Sequence, residues 1–180
     1  MSPLRSSSRV ADGFLIALLL PLLLSTSGQL SEADLRSAVI TMMREGSGLF
    51  GLSDKTDIRQ DASYTVSIAG DGTVTYSGRN GVRTIGTRTH KVPVESIRAL
   101  LVEFDQAAFW TLNDRYDSID VGNGLIKTVS DLTKTTVAVS VGARRKSVYD
   151  YYGTPPIVRR LEARIDEVAD SRRYTGRPPG

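Results

Sequence analysis

The chain has a single histidine, His90, and no cysteine. A general acid or base working at neutral pH is most often a histidine, so a His-dependent hydrolase would have to run through this residue. A secreted ribonuclease, for instance, would set Glu95 or Glu103 and a cation such as Arg83 or Arg88 beside it. His90 falls at the end of an expected strand, where an exposed side chain is the simpler reading, and no catalytic residue is assigned. The lack of cysteine excludes disulfides, thiolate metal sites and cysteine nucleophiles.

Asp114, Asp117 and Asp120 occupy one glycine-containing stretch, and clustered carboxylates suit hard cations such as Ca²⁺. Their spacing of three lacks the alternating ligands and terminal Glu of an EF-hand, so a solvated loop is expected, with no metal and no cofactor. No G-x-S-x-G nucleophile elbow is present. The GSGLFG run at 46–51 lacks the Lys-Ser/Thr of a phosphate loop. What remains is a recognition surface: Arg144, Arg145, Lys146, Tyr149, Tyr151 and Tyr152 combine the cationic and aromatic groups enriched at interfaces. Strand alternation sends half of them inward. Tyr149 and Tyr151 share a face and are expected in the core beneath the last helix, which leaves Arg144, Arg145 and Tyr152 as the candidate binding residues.

These side chains need a frame, and the hydrophobic pattern supplies one. Tyr64, Val66 and Ile68, then Val74 and Tyr76, alternate with small or polar residues about a Gly70-Asp71-Gly72 turn, which predicts a β-hairpin. Further strands are expected at Ala38 to Met43, Val82 to His90, Ile126 to Val129, Thr135 to Val141 and Lys146 to Tyr151, the last two joined at Gly142. Ile97, Leu100, Leu101, Phe104 and Ala108 recur at helical spacing after Pro93, in a helix expected to end near Phe109 and Trp110. Val158, Leu161, Ile165 and Val168 do the same after Pro155-Pro156. Ser31 resembles a short helical cap. Gly46 to Ala62 and Asn113 to Gly124 read as loops. The expectation is one α+β domain over residues 29–170, an antiparallel β-sheet packed against two amphipathic helices, with a flexible tail at 171–180.

Ahead of this domain, Arg5 and Arg9 precede an eleven-residue apolar run at 14–24, and Ser25-Thr26-Ser27-Gly28 supplies small residues. These are the three regions of a signal peptide, expected at 1–28 with cleavage after Ser27 or Gly28. A spanning helix needs about 20 apolar residues, and Pro21 interrupts a run half that long, so no stable membrane anchor is expected. Without a cysteine there is no lipoprotein anchor. Loss of Arg5, Arg9 and Asp12 takes the formal charge from +3 to about +2, too mild for a nucleic-acid partner.

The segments IAGDGTVTYSG, VSDLTKTTVAVSVGARRKSVYDYYGTP and LEARIDEV together resemble a bacterial family known as domain of unknown function 6438, over roughly residues 38–170. The resemblance implies this fold and export, and no catalytic residue. In the family pattern a cysteine pair precedes the hairpin; this chain has Ser47, Leu49 and Ser63 nearby, so no metal or redox role carries over. The functional expectation is a non-catalytic periplasmic or extracellular module that binds an envelope protein or cell-surface ligand. A small hydrolase using His90 with Glu95 or Glu103 is the alternative.

Overall fold

The computed structural model describes residues 30–47 and 62–176. The expected signal peptide and most of the expected loop at 46–62 therefore lie outside the described residues. Ser31 caps the first helix, α1 (Glu32–Ser37), its hydroxyl accepting from the Asp34 amide at 3.0 Å. Three strands follow in a meander, β1 (Val39–Glu45), β2 (Ser63–Ala69) and β3 (Thr73–Asn80), then the edge strand β4 (Gly86–Lys91) and helix α2 (Val94–Gln106). Next come three short strands, β5 (Arg115–Asp117), β6 (Ile119–Asp120) and β7 (Ile126–Lys127). The chain closes with the long pair β8 (Lys134–Val141) and β9 (Arg144–Tyr152), helix α3 (Pro156–Val168) and helix α4 (Arg172–Thr175).

Seven strands form one sheet in the order β4-β3-β2-β1-β8-β9-β5, while β6 and β7 make a separate hairpin. Every pair in the large sheet is antiparallel except β5–β9, which is parallel. The fold is α+β, as the alternation predicts. One sheet face carries Ile40, Met42, Val66, Ile68, Val74, Tyr76, Val137, Val139 and Val148, all essentially without solvent contact. Against it α2 presents Ile97, Leu100, Leu101 and Phe104, and α3 presents Val158, Leu161 and Ile165, so both amphipathic stripes close on a single core.

Several boundaries differ from the sequence reading. Val82 is buried but outside any strand, because Gly81 and Gly86 both take positive φ (62° and 85°) and delay β4 until Gly86. Helix α2 stops at Gln106. Ala108 then turns left-handed (φ 50°) into a 3₁₀ turn, Phe109–Thr111, which folds Phe109 back edge-on to Phe104 at 4.8 Å. The expected loop from Asn113 contains β5 and β6. A three-residue strand has too few positions to show alternation, and β5 is held by pairing with distant β9. Gly72 has the positive φ (88°) expected of a turn glycine. Gly70 is required for a different reason, because a Cβ there would overlap the Leu35 carbonyl oxygen of α1.

The expected flexible tail also needs correction over residues 171–176. Ser171 is buried, Arg172–Thr175 is helical, and the Tyr174 ring stacks on buried Tyr76 with centroids 4.7 Å apart. The Tyr174 carbonyl also accepts from the Thr84 amide at 3.0 Å. The tail residues 177–180 lie outside the described set.

Candidate functional site

In an alternating strand an inward position continues the hydrophobic face, and three such positions here carry charge instead. Arg44 continues Ile40 and Met42 on β1, Asp150 continues Val148 on β9, and Glu162 sits within the Val158, Leu161, Ile165 stripe of α3. Because the strands run antiparallel, the end of β1, the start of β2, the start of β8 and the end of β9 meet at one edge of the core. Helices α3 and α4 lie over that edge. Between them is a cleft of about 620 Å³, within the range of small-ligand pockets. Its charged groups come from Arg44, Asp150, Arg159, Glu162, Asp166 and Arg172, with the Tyr64 hydroxyl among them, and Ala62, Leu132 and Ala163 give it apolar walls.

The carboxylates in the cleft differ sharply in how they are satisfied. Asp166 is saturated: the Tyr64 hydroxyl donates to both its oxygens (2.8 and 2.9 Å), the Ser171 hydroxyl donates at 2.6 Å, and Arg44 stands 3.7 Å away. Asp150 accepts from the Thr154 hydroxyl and faces the Arg159 guanidinium at 3.7 Å. Glu162, only 5% exposed, has one oxygen 3.3 Å from Arg44, while its other oxygen, Oε1, is buried without a hydrogen-bond partner among the described residues. Arg44 Nε is likewise buried and unpartnered. Such orphans are rare in folded proteins; the Tyr76 hydroxyl on β3, outside the cleft, is a third.

Burial, chiefly, pushes the Glu162 carboxyl up to about 8. Arg44 opposes the shift, while the charge of Asp150, a hydrogen bond with Asp150, and the charge of Asp166 reinforce it. Burial in this cluster thus favours the protonated form of Glu162. Burial works against the charge of Arg44, but Tyr64, Asp166, Glu162 and Asp150 outweigh it and hold the guanidinium ionised. Burial also raises the Tyr64 phenol, keeping it a hydrogen-bond donor to Asp166.

The residues singled out from sequence fall elsewhere. His90 has both ring nitrogens engaged, Nε2 with the Ala169 carbonyl (3.1 Å) and Nδ1 with the Tyr174 hydroxyl (3.3 Å). A carbonyl only accepts, so Nε2 carries the hydrogen and Nδ1 takes the hydroxyl proton. Glu103 is bound by Arg164 in a bidentate pair at 3.0 to 3.1 Å, and Glu95 is an exposed residue in the first turn of α2. His90 and Glu103, two members of the alternative catalytic grouping, are thus each held by partners outside it. Arg83 lies beside Gly176 and Arg88 donates to the Thr87 carbonyl.

The acidic triplet is divided too: Asp114 pairs with Lys146, Asp117 with Arg115, and Asp120 accepts from the Gly122 amide at 2.8 Å. Among the described residues, no group of three or more His, Asp or Glu side chains is placed to hold a metal.

Arg144, Arg145 and Tyr152 do not make one surface. Alternation puts Arg145 on the opposite face from the other two, and eight residues of strand separate Arg144 from Tyr152 by about 26 Å. Arg144 instead stacks over the Trp110 ring (3.9 Å) and pairs with Asp105 at 3.4 Å. Tyr149 and Tyr151, expected beneath the last helix, point to the other face of the sheet, because Val148 and Asp150 take the inward positions. There Arg115 covers the Tyr149 ring at 4.3 Å, and the Tyr151 hydroxyl donates to the Val129 carbonyl.

Arg44, Asp150 and Glu162 went unnoticed in the sequence although each leaves a signal, a charge at a position whose parity or helical phase is apolar. A single open sheet with two helices on one face, closing a polar cleft at one end, is the class these features define. The family model of domain of unknown function 6438 matches residues 62–169, and the chain belongs to that family. No curated protein matches the chain.

Proposed function

We propose that this chain is an exported, non-catalytic binding domain whose ligand enters the cleft between the β1–β2–β8–β9 edge and helices α3 and α4. The observation that carries the reading is the pair of buried, unpartnered polar atoms in the cluster that lines the cleft, Arg44 Nε and Glu162 Oε1. A folded domain tolerates such atoms where a ligand or water completes them, at a cost of about 1–3 kcal/mol each when nothing does. Export rests on the three-part N-terminal segment. The hydrolase reading through His90 has less support, since Tyr174 and Ala169 occupy its ring and Arg164 holds Glu103.

Ala163 lines the cleft from an exposed position on α3, so Ala163→Trp fills the cleft without entering the core. Titration of the purified protein with a fractionated envelope extract, followed by calorimetry, is expected to give saturable binding that this variant abolishes. Saturable binding that is equal in wild type and variant would place the ligand elsewhere and reject the reading.

A further inference from the structure

We propose that the open face of the sheet, opposite the helices, is a second binding surface and takes an uncharged polysaccharide. Helices α2 and α3 pack on the other face, and the strand register lays the side chains of this one in straight rows. One row runs Thr89, Thr75, Ser67, Thr41, Ala138 and Ser147, from β4 across to β9. The next runs Thr87, Ser77, Thr65, Met43, Thr136 and Tyr149. Apart from Met43, Ala138 and Tyr149 every position is serine or threonine, and none is charged. Charge begins at the border, with Lys91 and Arg145 beyond the first row and the Arg79–Glu45 pair beyond the second. Strand preference accounts for the threonines. It does not account for the lack of lysine and glutamate, since a surface left to water mixes charges of both signs.

The hydroxyls are also unspent. Among the described residues, no serine or threonine side chain in the two rows has a hydrogen-bond partner, so each keeps its capacity to donate and to accept. A shallow depression of about 360 Å³ opens where Ala138 leaves space between Thr41 and Ser147, bordered by Val39, Ser140 and Arg145.

This chemistry selects the partner. Protein interfaces are built around aromatic side chains, methionine and arginine and are poor in serine, the reverse of this face. Nucleic acids and anionic lipids call for a basic surface, and a bilayer interior for an apolar one. An uncharged glycan carries hydroxyls that both donate and accept, and it meets these rows with no charge to desolvate on either side. Neighbouring strands lie about 4.8 Å apart, so a chain laid along a row meets a new side chain at a step close to one sugar unit. The surface is separate from the cleft and has its own ligand. Thr75 and Ser67 therefore respond to the glycan and stay still when the cleft ligand is added.

The test is chemical-shift mapping of the isotope-labelled protein during titration with cellohexaose, maltohexaose and chitohexaose, with hexagalacturonate as the charged comparison. At least one neutral hexaose is expected to shift Thr41, Ser67, Thr75 and Thr136 saturably, and hexagalacturonate to shift none of them. The triple variant Thr41→Val, Thr75→Val, Thr136→Val keeps the β-branched shape and removes only hydroxyls; it is expected to weaken binding by about tenfold or more. Thermal unfolding checks that it folds. Ala163→Trp is expected to leave hexaose binding unchanged, which separates this face from the cleft. The inference is overturned if no neutral hexaose binds, if the triple variant folds and binds as well as wild type, or if hexagalacturonate binds as tightly as the best neutral hexaose. Shifts confined to the cleft residues and abolished by Ala163→Trp would overturn it as well, while supporting the cleft as a ligand site.

Discussion

Glu162 shows what a single misplaced charge does to a core. Most of its neighbours on α3 bury hydrocarbon, whereas it buries a carboxyl whose proton is retained up to about 8. In an unfolded chain the same group titrates near 4.5. Between these values the folded state binds the extra proton, so the contribution of Glu162 to stability is complete below about 4.5 and is lost as pH rises through about 8. The slope approaches about 1.4 kcal/mol per pH unit in that window. Gln keeps the shape, does not titrate, and can donate its amide hydrogen to Asp150. Glu162→Gln should therefore match wild type in urea unfolding near pH 5 and be more stable by over about 1 kcal/mol near pH 8. A variant less stable than wild type at the higher pH would show that Glu162 is ionised in the folded protein. The charge was legible in the sequence as an interruption of an apolar stripe. Its partners were not, since Arg44 and Asp150 lie far away along the chain and only the sheet register brings them to it.

Elements with many repeats of one period were the readable ones. Tyr64, Val66 and Ile68 state a period of two three times over, and α3 states a period near 3.6 across three turns. Strand β5, at three residues, states nothing alone and exists through β9. Helix α4 spans four residues and is held by Tyr174 on Tyr76, a contact no local pattern encodes. The turn between β2 and β3 was readable as a turn but not as a packing site. Its first glycine lies against α1, with its amide donating to the Ala38 carbonyl at 2.8 Å. Gly70→Ala forces a methyl group into the Leu35 carbonyl and should cost about 1–3 kcal/mol or more. Thermal unfolding measures this directly; a melting temperature equal to wild type would mean that α1 yields freely.

For the whole molecule, the sequence reading was right about architecture, and the histidine, aspartates and arginines it singled out do not line the cleft. It searched for residue types known for chemistry, a histidine, an aspartate triplet and an arginine–tyrosine strand. The fold ties up the first in Tyr174 and Ala169, divides the second among three partners, and spreads the third over two faces of the sheet. Arg44 Nε and Glu162 Oε1, two of the three buried polar atoms without a partner among the described residues, lie where strand ends and two helices meet, a location that emerges only from topology. The central claim, that this cleft is where the domain binds, is tested most directly by amide chemical-shift mapping of the isotope-labelled protein during titration with its ligand fraction. Perturbations concentrated at Arg44, Tyr64, Asp150, Glu162 and Ser171, with Thr75 and Ser67 on the opposite sheet face unmoved, are the predicted result. Saturable binding that moves the Thr75 and Ser67 face and leaves the cleft residues still would contradict it.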